Sequence, residues 1–286
     1  MSKNIILVAE SGSDIPVDVA KRYGIHIVPM HVTFGDTTLE DGSFPIEDIY
    51  DYHKKTGRIP KTSACSPDDF MKTFDEIHSQ HPEKDILYLA YSVATTASYQ
   101  SAMLAAEGRD YKLTSIDTQQ VSGGQAAIVI KIAEMLDKNP DLSLEEAVDA
   151  TNDLIKKTHM CFLPDNLDFL RAGGRVSNVA YLGSRLLGIH PCIEIKNGLL
   201  TATKKYRGSL LKLAPRLIRE YTKLYGFNKN RIYFLWSVGL GDDVKEVAEK
   251  EAKDCGFKEI VWLRTGCVIT THSGPGTFGL VGISLA

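Results

Sequence analysis

Residues 5–24, IILVAESGSDIPVDVAKRYG, contain one complete strand–loop–helix unit. Ile5 to Val8 is a continuous apolar run, the pattern of a buried strand. Ser11-Gly12-Ser13-Asp14 supplies the loop, and a short helix starts near Pro16 and is closed by Gly24. The same order returns along the first half of the chain. Ile25 to Val32 predicts a second strand, whose alternation HIVPMHV accounts for His26 and His31 without a functional role. Ser66-Pro67-Asp68-Asp69 is a helix start, with Ser66 as N-cap, proline in first position and acids in the first turn. Ile86 to Ala90 and Leu113 to Ile116 are further strands, each followed by a loop and an apolar helix. Ser143-Leu144-Glu145-Glu146 has the capping-box pattern and opens a helix to about Lys157. Four strand–loop–helix repeats predict a mostly parallel sheet with flanking helices. Its ligands belong in the loops beyond the carboxyl ends of the strands.

Beyond about residue 160 the pattern changes. Ile189 to Ile195 and Leu200 to Tyr206 flank Lys196-Asn197-Gly198, a hairpin signal. A long helix follows, with Leu210, Leu213, Leu217, Tyr221 and Leu224 on one face. Strands at 232–236, 260–263 and 280–285 and a helix at 242–255 complete the pattern. The expected class is α/β in two domains. Residues 1–160 carry the parallel sheet and hydroxyl-rich ligand loops, and 161–286 form an α/β domain with a mixed or antiparallel sheet. A length of 286 residues suits two cores better than one.

Composition excludes several classes. A net charge of −3 argues against a general nucleic-acid binder. No apolar run approaches the ~18 residues of a membrane span, and Met1 to Asn4 lead straight into a strand. The expectation is a cytoplasmic protein without a signal peptide. Cys65, Cys161, Cys192, Cys255 and Cys267 are scattered, form no C-x-x-C pair and read as reduced core thiols.

Near the C-terminus Gly274-Pro275-Gly276-Thr277-Phe278-Gly279 fits the dinucleotide pattern G-x-G-x-x-G. That pattern needs a following helix and a later acid. Cys267 to Thr270 reads as a strand before it, but only LVGISLA follows, a terminal strand, so the dinucleotide reading fails. What remains is a rigid turn between strands that carries His272, with glycines that let backbone N–H groups approach a ligand.

The first-half loops are rich in hydroxyls: Ser11 and Ser13, Thr62 and Ser63, Ser92 with Thr95 and Thr96, Thr118 and Ser122. Capping explains Ser66 and Ser143. Converging loop hydroxyls suit a carboxylate or phosphate oxygen, because they offer hydrogen bonds without a competing charge. Enzyme signatures are missing: there is no G-x-S-x-G, no phosphate loop and no H-E-x-x-H. His53, His78 and His81 read as surface residues, and His159 and His190 as core or edge positions. Asp14 and Asp117 have no second acid placed to share a metal. Arg171 and Arg175 surround a Gly-Gly turn, and seven basic residues from Lys204 to Lys223 meet only Glu220. Arginine beside a hydroxyl pocket suits an acyl phosphate or an acidic partner.

Taken in order, these motifs resemble the DegV family, fatty-acid-binding proteins that serve as binding subunits of bacterial fatty acid kinase. The matching segments are Thr62-Ser63 before Ser66-Pro67, ILYLA with Tyr99-Gln100-Ser101-Ala102, and Asp117-Thr118 with Ser122-Gly123-Gly124. Further on come LDFLRAGGR at 167–175, Gly188-Ile189-His190-Pro191, Lys205-Tyr206-Arg207, and His272 with Gly274-Pro275-Gly276. The resemblance implies a non-catalytic protein with no cofactor or metal. It would bind a long-chain fatty acid between its domains and present the carboxylate to a fatty acid kinase catalytic subunit, in phospholipid metabolism. Transient membrane-surface contact is compatible with that role.

The same resemblance implies a carboxylate bound by Thr62 and Thr96, with Ser63, Ser92 and Thr95 of the same loops as further carboxylate-binding hydroxyls. His272 stands nearby as a donor or positive charge, and Arg175 and Arg207 face the kinase. The chain departs from the family in Glu10-Ser11 for Asp-Ser, in Val93 to Ser98 for Ser-Gly-Leu-Ser-Gly-Thr, and in His190 for a lysine. Two other readings stay open. One is a phosphotransferase or hydrolase acting on a small phosphorylated metabolite at the same loops. The other is an interaction module using the basic 204–223 helix.

Overall fold

The computed structural model describes residues 2, 4–165, 167–175 and 188–285. The first half runs β1 (Ile5–Glu10), α1 (Val17–Tyr23), β2 (His26–Val28), β3 (His31–Phe34), β4 (Thr37–Glu40) and α2 (Glu47–Thr56). It continues with β5 (Lys61–Ser63), α3 (Pro67–Gln80), β6 (Asp85–Ala90), α4 (Ser98–Ala106), β7 (Leu113–Asp117), α5 (Ser122–Lys138) and α6 (Leu144–Lys157). Four of these strands form a parallel sheet in the order β2-β1-β6-β7. Successive side chains of a strand face opposite ways. Ile6 and Val8 of β1 accordingly join one core with Ile86 and Tyr88 of β6, while Ile5, Leu7 and Ala9 join another with Leu87 and Leu89. Both faces are covered, which is why these strands read as continuous apolar runs. Ser66 and Ser143 form capping boxes with Asp69 and Glu146.

The second half runs β8 (Thr158–Leu163), α7 (Leu167–Gly173), β9 (Ile189–Lys196), β10 (Leu199–Arg207) and α8 (Leu210–Tyr225). Then come β11 (Arg231–Trp236), α9 (Asp242–Asp254), β12 (Glu259–Arg264), α10 (Cys267–Ser273) and β13 (Phe278–Ile283). The sheet is mixed, in the order β10-β9-β8-β13-β11-β12, with β11 and β12 parallel and the other pairs antiparallel. Asn197 and Gly198 both have positive φ, 51° and 77°, as the two-residue β9–β10 turn requires. The β8 strand, which contains residue 160, belongs to this sheet. Helix α5 lies between the sheets: Ile128 and Ile132 join the core of the first, and Ala126 and Ile130 share a core with Phe162 and Leu235 of the second. Among the described residues no helix is long and apolar enough to cross a membrane.

Three features differ from expectation. The strand expected over 25–32 is two strands in two sheets, because Pro29 between them has no N–H for a ladder. A small antiparallel sheet, β4-β3-β5, was not expected; its strands are only three or four residues long and β4 is exposed throughout, so no periodic signal marks them. Cys267 to Thr270 is helical, not extended, and so the glycine-rich turn joins α10 to β13 rather than two strands.

Candidate functional site

A cavity of about 820 Å³, its open mouth included, lies where the first-half loops meet the second sheet and α10. Much of the wall is apolar, from Met30, Val121, Met160, Phe162, Leu200 and Leu235. Thr62, Ser63, Thr95, Thr96, His272 and Arg175 add polar groups to it.

Thr62 lies in β5 and His272 in the last turn of α10, and the two meet across 210 residues of sequence. Thr62 Oγ1 is 2.8 Å from His272 Nε2. Burial lowers the His272 pKa to about 4, and the nearby Arg175 charge adds to the effect. The ring is therefore neutral at neutral pH, which favours the donor role of the two expected for it over the positive charge. Its Nδ1 is buried without a hydrogen-bond partner among the described residues. A buried N–H without an acceptor is rarer than an unmatched lone pair, so the ring proton is placed on Nε2. Nε2–H then donates to Thr62 Oγ1 and leaves the threonine proton for a ligand. His272 fits because Gly173 has no side chain: a Cβ there would collide with Nδ1.

The other expected residues divide. Thr96 lines the cavity with Oγ1 at 3.1 Å from Ser98 Oγ, and Thr95 lines it while donating to Ser92 O at 3.0 Å. Ser63 is exposed on the same wall. Ser92 is fully buried and outside the lining; its hydroxyl donates to Gly198 O at 2.7 Å and ties this loop to the β9–β10 turn. A Cβ on Gly198 would stand 2.6 Å from that hydroxyl. Arg175 is exposed but also lines the cavity, with Nη1 donating to Gly173 O at 2.9 Å. Arg207 is exposed at the end of β10, opposite Ile189 and away from the lining.

Two carboxylates hold α10 in place. Asp41 Oδ1 accepts from Cys267 N at 2.8 Å and Val268 N at 3.2 Å, and Asp14 Oδ1 accepts from Gly266 N at 2.7 Å. Asp41 also accepts from Ser11 Oγ, and Asp14 from Ser122 Oγ. Burial pushes both carboxyls above the ordinary range. Asp14, weighed above as a metal ligand, is thus a helix anchor. Asp117 accepts from the backbone of Val93 and Gln119. Among the described residues no group of three or more His, Cys, Asp or Glu could hold a metal. His190 is buried with Nδ1 3.0 Å from Pro164 O, and His159 stacks on Tyr225. His53, expected at the surface, packs edge-on against Phe169.

Asp41 and the contact of Gly173 with His272 leave no signal in the sequence beyond the Gly-Gly turn, because their partners lie far along the chain. Tyr91 lines the cavity but reads in the sequence as the end of an apolar strand. Chemically, the site can hold an oxyanion by neutral donors. A threonine nucleophile with a histidine base would need a third group to orient the ring through Nδ1, and none of the described residues does so.

The DegV family model, described as that of an uncharacterised protein, matches residues 4–285. A fatty acid-binding protein of Thermotoga maritima is 28% identical over 285 residues, covering 96% of this chain and 95% of the relative. The solved fatty-acid-binding DegV family protein of Thermus thermophilus is 28% identical with a TM-score of 0.86, covering 99% of this chain and 100% of its own. The fatty acid kinase B3 protein of Streptococcus pneumoniae, solved with linoleic acid, shares the fold at a TM-score of 0.83 and 22% identity, covering 98% of this chain and 99% of its own. With the Thermus protein's fold matched at a TM-score of 0.86 and the family model matched along almost its whole length, the chain belongs to the DegV family.

Proposed function

We propose that the protein binds a long-chain fatty acid in this cavity, its carboxylate at Thr62 and Thr96 and its acyl chain along the apolar wall. The observation that carries this reading is the Thr62–His272 pair. A neutral ring fixes the threonine oxygen and frees its proton, within a largely apolar cavity. The Thermotoga and Thermus relatives, named for fatty-acid binding, support the choice of ligand. Two domains, divided near residue 160, close on the acid from opposite sides; lining residues come from both.

The protein then presents the carboxylate to a fatty acid kinase for acyl-phosphate formation and performs no chemistry itself. The likeness to the pneumococcal B3 protein supports this step. Arg207, exposed outside the cavity, suits docking, because a guanidinium can engage two oxygens of an acidic partner at once. Arg175 has a foot in both roles, exposed to a partner yet bordering the cavity.

Mass spectrometry of natively purified protein should find a co-purifying fatty acid. A clean apo protein that also ignores added palmitate and oleate would overturn the reading. Arg207→Ala should keep its lipid yet form less acyl phosphate with a cognate kinase and ATP. Loss of the lipid in that variant would instead remove Arg207 from the docking role.

A further inference from the structure

The cavity wall holds a phenol that the carboxylate site does not use. Tyr91 follows β6, lines the cavity and is only 9% exposed. Its backbone N–H donates to both Glu10 oxygens, at 3.1 and 3.0 Å, which fixes the residue at its root. Its ring rests on the turn after β1: a Cβ built on Gly12 would lie 3.1 Å from Tyr91 Cε2. Its hydroxyl has no hydrogen-bond partner among the described residues. Burial raises the phenol pKa, so the group stays a neutral donor.

Its surroundings extend the polar character. Asp14, two residues beyond Gly12, accepts from Ser122 Oγ and from Gly266 N. Ser122 and Thr265, beside these contacts, line the cavity as well. The Ser122 hydroxyl is taken by Asp14 and the Thr265 hydroxyl lies 2.8 Å from that of Thr270, so Tyr91 is the lining group on this side, near the start of α10, whose hydroxyl is left for a ligand, whereas His272 and Thr62 meet at the helix end. The six steps from Gly266 to His272 span roughly 9 Å at ~1.5 Å per residue. A plain acyl chain laid across this side would seal the Tyr91 hydroxyl away from water with nothing to bond. An oxygen on the chain would match it. Sites that hydrogen-bond a substrate oxygen discriminate strongly against the analogue lacking it.

Resting on the fatty-acid reading of the cavity, we propose that Tyr91 selects long-chain acids carrying a hydroxyl or keto oxygen in mid-chain. The test is the affinity of delipidated wild type and Tyr91→Phe for stearic acid and 10-hydroxystearic acid. Wild type should bind the hydroxy acid about tenfold or more tightly than stearic acid. Tyr91→Phe should lose most of that preference while binding stearic acid at least as well as wild type. Equal wild-type affinities overturn the proposal, and that comparison stands without any variant. So does a Tyr91→Phe protein that keeps the preference. Weaker stearic-acid binding by the variant would also overturn it, by placing the phenol at the carboxylate. If wild type binds neither acid, the fatty-acid reading itself fails and this inference with it.

Discussion

His272 reaches Thr62 because Gly173 leaves room for its ring, and two substitutions probe that arrangement separately. Thr62→Ala removes the donor. A hydrogen bond to a charged group is worth about 1.5–3 kcal/mol, so fatty-acid affinity should fall about 10- to 150-fold with the fold intact. Gly173→Ala keeps the threonine but drives a methyl into Nδ1, so the ring must move and Thr62 loses its anchor. Calorimetric titration of delipidated protein should show a loss for Gly173→Ala as well, alongside an unchanged far-ultraviolet spectrum. Wild-type affinity in Gly173→Ala would mean that the ring position is immaterial to the ligand. Thr62, Thr96 and His272 could be singled out in the sequence because their motifs are local, and the structure brings the three to one cavity. Gly173 was visible only as half of a Gly-Gly turn. Ser92 was misjudged because the same hydroxyl that could serve a ligand serves a carbonyl 106 residues away.

At the scale of elements, most of the first half could be read because its strands and helices carry their own periodicity and caps. Helix α10 could not. Its Val268-Ile269-Thr270-Thr271 is a β-branched run, and seven residues are too few to hold a helix in isolation. What makes it helical is tertiary: Asp41 and Asp14 accept from three backbone N–H groups at its start. Asp41→Ala should therefore cost about 0.5–2 kcal/mol, the range for losing an N-cap. It should also weaken ligand binding, because α10 carries His272. Asp41→Asn keeps a side-chain oxygen for the same N–H groups and should recover much of the loss. Urea unfolding would check both variants; an Asp41→Ala midpoint equal to wild type would show that α10 stands without this anchor. The small β4-β3-β5 sheet escaped for the opposite reason. Its strands are too short and too exposed to leave a pattern, although one of them carries Thr62.

For the whole molecule the consequence is a pH dependence with opposing parts. Burial gives His272 a folded pKa of about 4 against an ordinary 6.5. Between those values the unfolded chain binds more protons at this ring than the folded one, so stability falls as the pH drops from about 6.5 to about 4. Glu10 and Asp14 act with the other sign. Burial raises their folded pKa values, so their contribution is present in acid and is lost as the pH rises through those values. The histidine part can be isolated with His272→Gln, whose amide N–H can still donate to Thr62 Oγ1 but does not titrate. Unfolding free energies of delipidated wild type and variant should be compared across this window. Relative to wild type, His272→Gln should gain stability steadily as the pH falls from 6.5 towards 4, while the carboxyl contributions cancel between the two proteins. A difference that stays flat over that range would mean that the ring carries its ordinary pKa. The neutral imidazole assigned to the Thr62 contact would then be wrong.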